Sequence, residues 1–202
     1  MFRWSRETAA KRAFYLNRIA DLIQTRLEDF ARAESLDQGK PLWLARTIEI
    51  PRAIDNFRFF ATALTQSRES FTQHATIPNV ISYTTRNPVG VAVLISPWNL
   101  PLYLLTWKIA PCIAFGCTCV CKPSEFTSVT AGMLAQVFHD AELPSGVANI
   151  VFGVGSRIGQ ALITHPDVNV ISFTGSTAVG YHIKKATVNL PVKLSLEVGK
   201  VL

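Results

Sequence analysis

The sequence predicts an α/β fold, a Rossmann-like parallel sheet with crossover helices, preceded by two long helices. Three observations predict it. The first third carries an apolar period of three to four residues, and from Val91 onward short apolar runs alternate with helical patterns. The ends of those runs then turn abruptly to glycine, proline and polar residues. With 202 residues, 49% of them hydrophobic, the chain can fill one ordinary core, and a disordered or fibrous protein is excluded.

Leu16, Ile19, Leu22, Ile23, Leu27, Phe30 and Ala31 stripe one side of a first long helix, which Gly39-Lys40-Pro41 stops. A second runs from Trp43 to about Leu64 and is expected to kink or restart at Pro51, after which Ile54, Phe57, Ala61 and Leu64 resume the period. Both serve to cover a sheet. VISYTTR, Val80 to Arg86, alternates and is rich in β-branched residues, which predicts a strand with one wet face, broken by Pro88 and Gly90. Parallel strands are then expected at Val91 to Ser96, Thr118 to Lys122, Asn149 to Phe152, Val170 to Phe173 and Lys193 to Leu196. Helices fall between them, near Leu102 to Ala114, Ser128 to Ala141, Ser156 to Thr164 and Thr177 to Thr187.

The formal net charge is +6, yet Arg12, Arg18, Arg26, Arg32, Arg46, Arg52 and Arg58 are spaced along helical segments, so no nucleic-acid-binding patch forms. The opening MFRWSRETAAKR lacks an apolar secretory core, and no run of about 18 apolar residues is present to span a bilayer. A cytoplasmic location and no membrane partner are expected. The four cysteines are Cys112, Cys117, Cys119 and Cys121. The C-x-C-x-C spacing invites a metal reading, but strand alternation points all three to one face of an apolar run. With no Cys-x-x-Cys and no nearby histidine, they read as small buried side chains of a reducing compartment, and no metal site is expected.

In a doubly wound sheet, ligands bind beyond the carboxyl ends of the strands. The first parallel strand ends in Ser96-Pro97-Trp98-Asn99, which fits either a proline turn with a buried tryptophan or a ligand edge; no G-x-G-x-x-G follows it. The second ends in Lys122-Pro123-Ser124-Glu125, either a solvated turn or a carboxylate and ammonium suited to ribose hydroxyls. The third turns through Gly153-Val154-Gly155 with Gly159 beyond, allowing close packing or close ligand approach. The fourth ends in Phe173-Thr174-Gly175-Ser176-Thr177-Ala178-Val179-Gly180. Ser176 is a natural helix cap there, and the glycine turn also suits a pyrophosphate at a helix N-terminus. Four strand ends agreeing on one edge weigh more than any one of them.

The ordered series ISPWNLP, KPSE, FTGSTAVG and SLEVGK resembles the NAD(P)-dependent aldehyde dehydrogenase superfamily, and Thr8 to Ala61, with ESLDQGKP and DNFRFF, is similar to the helical part of the same family's cofactor domain. The run WNLPLYLLTWKIAP resembles most the 2-aminomuconic and hydroxymuconic semialdehyde dehydrogenase group. The resemblance implies NAD, in preference to NADP, lined by Ile95, Ser96, Pro97 and Trp98. Lys122, Ser124 and Glu125 would hold the adenosine ribose, Gly155 and Gly159 would border the adenine, and Phe173 with Gly175, Ser176, Val179 and Gly180 would serve the pyrophosphate. It implies Asn99 as oxyanion donor and Glu197 as general base.

It further implies a division into residues 1–79, a helical part of the cofactor domain; 80–90, part of a bridging oligomerisation sheet; and 91–202, a truncated NAD-binding core. The family's nucleophilic cysteine lies beyond the glutamate motif, and the sequence ends at Leu202 before reaching it. The catalytic domain is therefore expected to be absent, and the longer parent to be a homo-oligomer acting on a small aldehyde. Glu197-Val198-Gly199-Lys200 has one glycine fewer than the family's usual motif. The competing expectation is a non-catalytic module that binds nucleotide or pairs with full-length subunits.

Overall fold

The structure, a computed structural model, describes residues 2–66, 71–73, 77 and 79–199; Lys200, which closes the SLEVGK motif, lies outside them. A short helix α1 (Phe2–Ser5) leads into α2 (Ala9–Thr25), which Thr8 caps by accepting from the Lys11 amide at 3.2 Å. α2 buries Ala13, Leu16, Ile19, Ala20 and Ile23 along one stripe. The first long helix is not continuous as expected: Arg26, at φ −110° and ψ 18°, separates α2 from α3 (Leu27–Gln38). The apolar period passes through that break unchanged, and no glycine or proline marks it. α3 ends where predicted, at Gly39 with φ 82°, a conformation favoured by glycine.

The second long helix comprises α4 (Leu42–Leu44), a π-helical turn over Ala45–Glu49, and α5 (Ile50–Thr65). Pro51 has no N–H to give to the preceding turn, and the wider π turn immediately before it absorbs the loss without breaking the helix. β1 (Phe71–Gln73) pairs antiparallel with β2 (Ile81–Tyr83). The strand expected over Val80 to Arg86 is thus only three residues long, and all three are exposed, so neither of its faces packs on the molecule.

The parallel sheet is built from β3 (Val91–Ile95), β4 (Thr118–Lys122), β5 (Ala148–Ile150), β6 (Val168–Ser176) and β7 (Lys193–Gly199). Its crossovers are α6 (Pro101–Ala114), α7 (Val129–Asp140), α8 (Gln160–Ile163), which a π turn over Gly155–Gly159 precedes, and α9 (Thr177–Ala186). The strand order is β5-β4-β3-β6-β7, with every neighbour parallel. The chain winds outward from β3 in one direction and then returns to its other side, so β3 and β6 flank the topological switch point.

Alternation along β3 divides the core. Ala92 and Leu94 pack with Cys119 and Cys121 of β4 and the stripes of α2, α5, α6 and α7, while Val93 faces Ile163, Ile171, Phe173 and Ile183 on the opposite side. α6 starts with Pro101 at its first position and is apolar nearly all round, as a helix packed between α5 and the sheet must be. The dispersed arginines are spread over carboxylates: Arg26 with Asp140, Arg18 with Glu142, Arg58 with Asp21, and Arg32 and Arg46 with Glu28.

Candidate cofactor cleft

Register decides which side chains meet. Ile95 lies opposite Lys122 on one side and Phe173 on the other, Phe173 lies opposite Leu196, and Thr174 opposite Glu197. The four unusual strand ends therefore open on one edge. Between them lies a cleft of about 720 Å³, lined by residues from the ends of β3, β4 and β6, the turn after β5, and helices α8 and α9. Of the sequence-derived cofactor residues, Ile95, Ser96, Pro97, Trp98, Lys122, Ser124, Glu125, Gly155, Gly159, Phe173, Gly175, Ser176 and Val179 all line it. Gly180 does not. It is buried where a Cβ would collide with Val198, so its place is the packing of α9 on β7.

Trp98 is 44% exposed, so the turn after β3 is not one built to bury a tryptophan. Ser96 is the buried residue of that turn, and its hydroxyl oxygen has no hydrogen-bond partner among the described residues. An orphaned buried hydroxyl on a cleft wall is costly unless something completes it. Lys122 is buried too, donating to the Pro123 carbonyl at 3.0 Å and to Glu125 Oε2 at 2.9 Å. Glu125 Oε1 accepts from the Gly155 amide at 3.2 Å, which ties the end of β4 to the turn after β5. Burial alone would raise the Glu125 carboxyl, but the hydrogen bonds from Lys122 and Gly155 and the lysine charge outweigh it and hold the group below its ordinary range.

At the end of β6, a Cβ on Gly175 would come within 2.5 Å of the Phe173 ring, so the absence of a side chain is required here. Ser176 then caps α9, its Oγ accepting from the Val179 amide at 3.4 Å, and the helix N-terminus opens onto the cleft.

Asn99 and Glu197 do not line the cleft, but each adjoins a residue that does. Asn99 follows Trp98, and its carbonyl accepts from Lys40 Nζ at 3.3 Å. Glu197 Oε2 accepts from the Thr174 hydroxyl at 3.1 Å. Two further features escaped the sequence reading. Lys108, buried on α6, donates to Ser172 Oγ at 2.9 Å; burial lowers its pKa, and the charge of Glu197 partly restores it. Its signal was a lone lysine in the apolar run LLTWKIAP. The other is a buried triad in which Lys40 pairs with Glu49 and lies 3.7 Å from Glu34. Glu34 also accepts from the Leu102 amide at 3.3 Å and the Thr130 hydroxyl at 2.6 Å, so α3, α6, α7 and the Asn99 turn share one network.

None of the four cysteines lines the cleft. Cys119 and Cys121 are buried with sulfurs 3.5 Å apart, whereas Cys117 precedes β4. A hydrogen bond with Cys112, followed by burial, pushes the Cys117 thiol well up, which keeps it a protonated, weak nucleophile. Among the described residues, no group of three or more His, Cys, Asp or Glu is placed to hold a metal ion. Among them also, no helix is long and apolar enough to cross a membrane.

The zebrafish (Danio rerio) 2-aminomuconic semialdehyde dehydrogenase is 55% identical over 196 residues, which are 97% of this chain and 40% of that protein. The 2-hydroxymuconic semialdehyde dehydrogenase of Pseudomonas sp. (strain CF600) is 44% identical over 199 residues, 97% of this chain and 41% of that one. The NAD+ complex of an aldehyde dehydrogenase from Bacillus cereus superposes with a TM-score of 0.92 at 36% identity, covering 97% of this chain and 40% of that one. The chain thus spans about 40% of the length of these relatives. The model of the aldehyde dehydrogenase family matches residues 1–200. On this match, on the shared fold and on the ordered motifs that meet at one sheet edge, the chain belongs to the aldehyde dehydrogenase family.

Proposed function

We propose that these residues form the NAD-binding portion of an aldehyde dehydrogenase that oxidises an aldehyde, of the muconic semialdehyde type, to a carboxylic acid. The observation that carries the reading is the convergence of an orphaned hydroxyl, a lysine–carboxylate pair and a helix N-terminus on one cleft at the switch point of a parallel sheet. The cleft's own chemistry fits the dinucleotide. Ser96 offers the unpartnered hydroxyl. Lys122 and Glu125 offer a donor and an acceptor for ribose hydroxyls, with Ser124 beside them. The bare backbone at Gly175 lets a pyrophosphate approach the first turn of α9 at Ser176 and Val179. Gly155 and Gly159 leave room for the base, and Ile95, Pro97, Trp98 and Phe173 supply apolar wall. The ionised Glu125 disfavours a 2′-phosphate, so NAD is preferred to NADP.

When bound, NAD supplies the hydride acceptor. The side-chain amide of Asn99 donates to the oxyanion of the tetrahedral adduct, a contact whose loss costs about 10²- to 10³-fold in rate. Glu197, held by Thr174, accepts the proton of the hydrolytic water. The nucleophilic thiolate comes from outside these residues. The exposed Ile81 and Tyr83 of the β1–β2 ribbon support pairing with a second subunit, and the four free thiols suit the reducing cytoplasm.

The test is a thermal melt of the chain with and without millimolar NAD or NADP. The expected result is one cooperative transition that NAD raises and NADP raises less, since a ligand bound only to the folded state stabilises it. A melting temperature indifferent to NAD would overturn the reading.

A further inference from the structure

Cys119 and Cys121 point from β4 into the core, whereas Cys117 precedes the strand and has a different neighbour. The way α6 ends decides which. Gly116 follows the last turn at φ 84°, its amide donates to the Ile113 carbonyl at 3.2 Å, and the Cys117 amide donates to the Cys112 carbonyl at 3.1 Å. These two bonds make a Schellman stop, which sets the residue three before the helix cap against the residue two beyond it. That contact is ordinarily apolar. Here both residues are cysteines, and their thiols are hydrogen-bonded to each other.

The bond from the Cys117 amide to the Cys112 carbonyl already holds the two backbones within the range a disulfide spans. Both residues are half-buried, so a small oxidant reaches them. The other pair is less suited. Cys119 and Cys121 are buried, and two positions along an extended strand keep their α-carbons about 6–7 Å apart, at the far limit for a disulfide.

We infer that Cys112 and Cys117 form a redox-sensitive latch: a small-molecule disulfide such as oxidised glutathione closes a bond between them that fastens the end of α6 to the start of β4, and a thiol reductant reopens it. The exchange balances. The Cys117 sulfur, once deprotonated, attacks one sulfur of the oxidant and expels a thiolate, which takes up the proton. The Cys112 sulfur then attacks the Cys117 sulfur, expels the second thiolate and gives up its proton to it. The pair loses two electrons and two protons, and the oxidant becomes two thiols. The hydrogen bond with Cys112, and then burial, keep Cys117 protonated near neutral pH, so the exchange is slow there and quickens about tenfold with each pH unit of added alkalinity. None of the cysteines lines the cleft, so the latch acts on the stability of the fold and leaves the cleft as it is.

The test is to incubate the folded 202-residue chain with oxidised glutathione at about pH 9 and then alkylate the remaining thiols in denaturant. The expected product carries two alkylated cysteines in place of four. Chymotryptic cleavage after Phe115 parts Cys112 from the other three, so the two peptides stay joined only through a bridge from Cys112. Cys117→Ser is expected to abolish that bridge, and Cys119→Ala combined with Cys121→Ala to keep it, with circular dichroism showing that each variant is folded. The bridged chain should melt above the reduced one, because the crosslink restricts the unfolded state. Four alkylated cysteines after oxidation, glutathione left attached to a single cysteine, a bridge that survives Cys117→Ser or is lost with Cys119 and Cys121, or a bridged chain that melts no higher would overturn the inference.

Discussion

Lys40 is the residue on which the helical layer and the turn after β3 converge, since its buried ammonium serves Glu49, Glu34 and the carbonyl of Asn99 together. Removing one member of a buried charged network leaves the others uncompensated, which costs more than the network is worth as a whole. Lys40→Met is therefore expected to destabilise the fold by about 3–5 kcal/mol, read as a lower urea midpoint at unchanged slope. Adding Glu34→Gln and Glu49→Gln to it should recover part of the loss; a triple variant less stable than the single one would show that the charges are not what destabilises it. The sequence did not disclose this triad. Glu34 and Glu49 stand in polar positions of amphipathic helices, Lys40 stands in the turn between them, and all three look like ordinary wet residues. Only tertiary packing buries them.

At the scale of elements, α9 and β7 approach so closely that position 180 has no room for a side chain. Gly180→Ala is expected to push the helix off the strand at a cost of about 1–3 kcal/mol, because valine is stiff at its first torsion and does not easily yield. A lowered melting temperature, partly restored by Val198→Ala in the same chain, is the expected result, whereas strictly additive losses would place the strain elsewhere. The glycine was legible in FTGSTAVG, but spacing alone does not tell a phosphate-binding glycine from a packing one. Gly175 and Gly180 look alike in sequence, and only the fold puts Gly175 on the cleft wall and Gly180 against Val198. β3 and β4 were legible because both of their faces are covered, which leaves short apolar runs with abrupt ends. β1 and the break at Arg26 were not, since neither interrupts a periodic pattern.

For the whole molecule, acidity acts through carboxylates that the fold displaces in both directions. The hydrogen bonds of Arg46 and Arg32 pull Glu28 from its ordinary 4.5 down to about 2, so the folded state resists its protonation. The stability this gives is complete above 4.5 and is lost as the pH falls toward 2. Glu34 runs the opposite way: burial raises it despite its hydrogen bonds from Thr130 and Leu102 and the charge of Lys40, so its folded form holds a proton that the unfolded chain has released. Its contribution is present below 4.5 and declines as the pH climbs through the raised value. The melting temperature is expected to fall on acidification from 4.5 toward 2, with Glu28→Gln flattening that slope, and Glu34→Gln flattening the decline on the alkaline side. The order of the strands bears on motion as well. β3 has a neighbour on each side and a buried centre, whereas among the described residues β5 and β7 are the outermost strands, each hydrogen-bonded through one ladder, and β7 is the more exposed of the two. Local opening is least costly at such an edge. Amide hydrogen exchange should therefore be slowest at Val91–Ile95 and fastest among the parallel strands at Lys193–Gly199, so that the carboxylate of Glu197 is carried on the strand that opens most often.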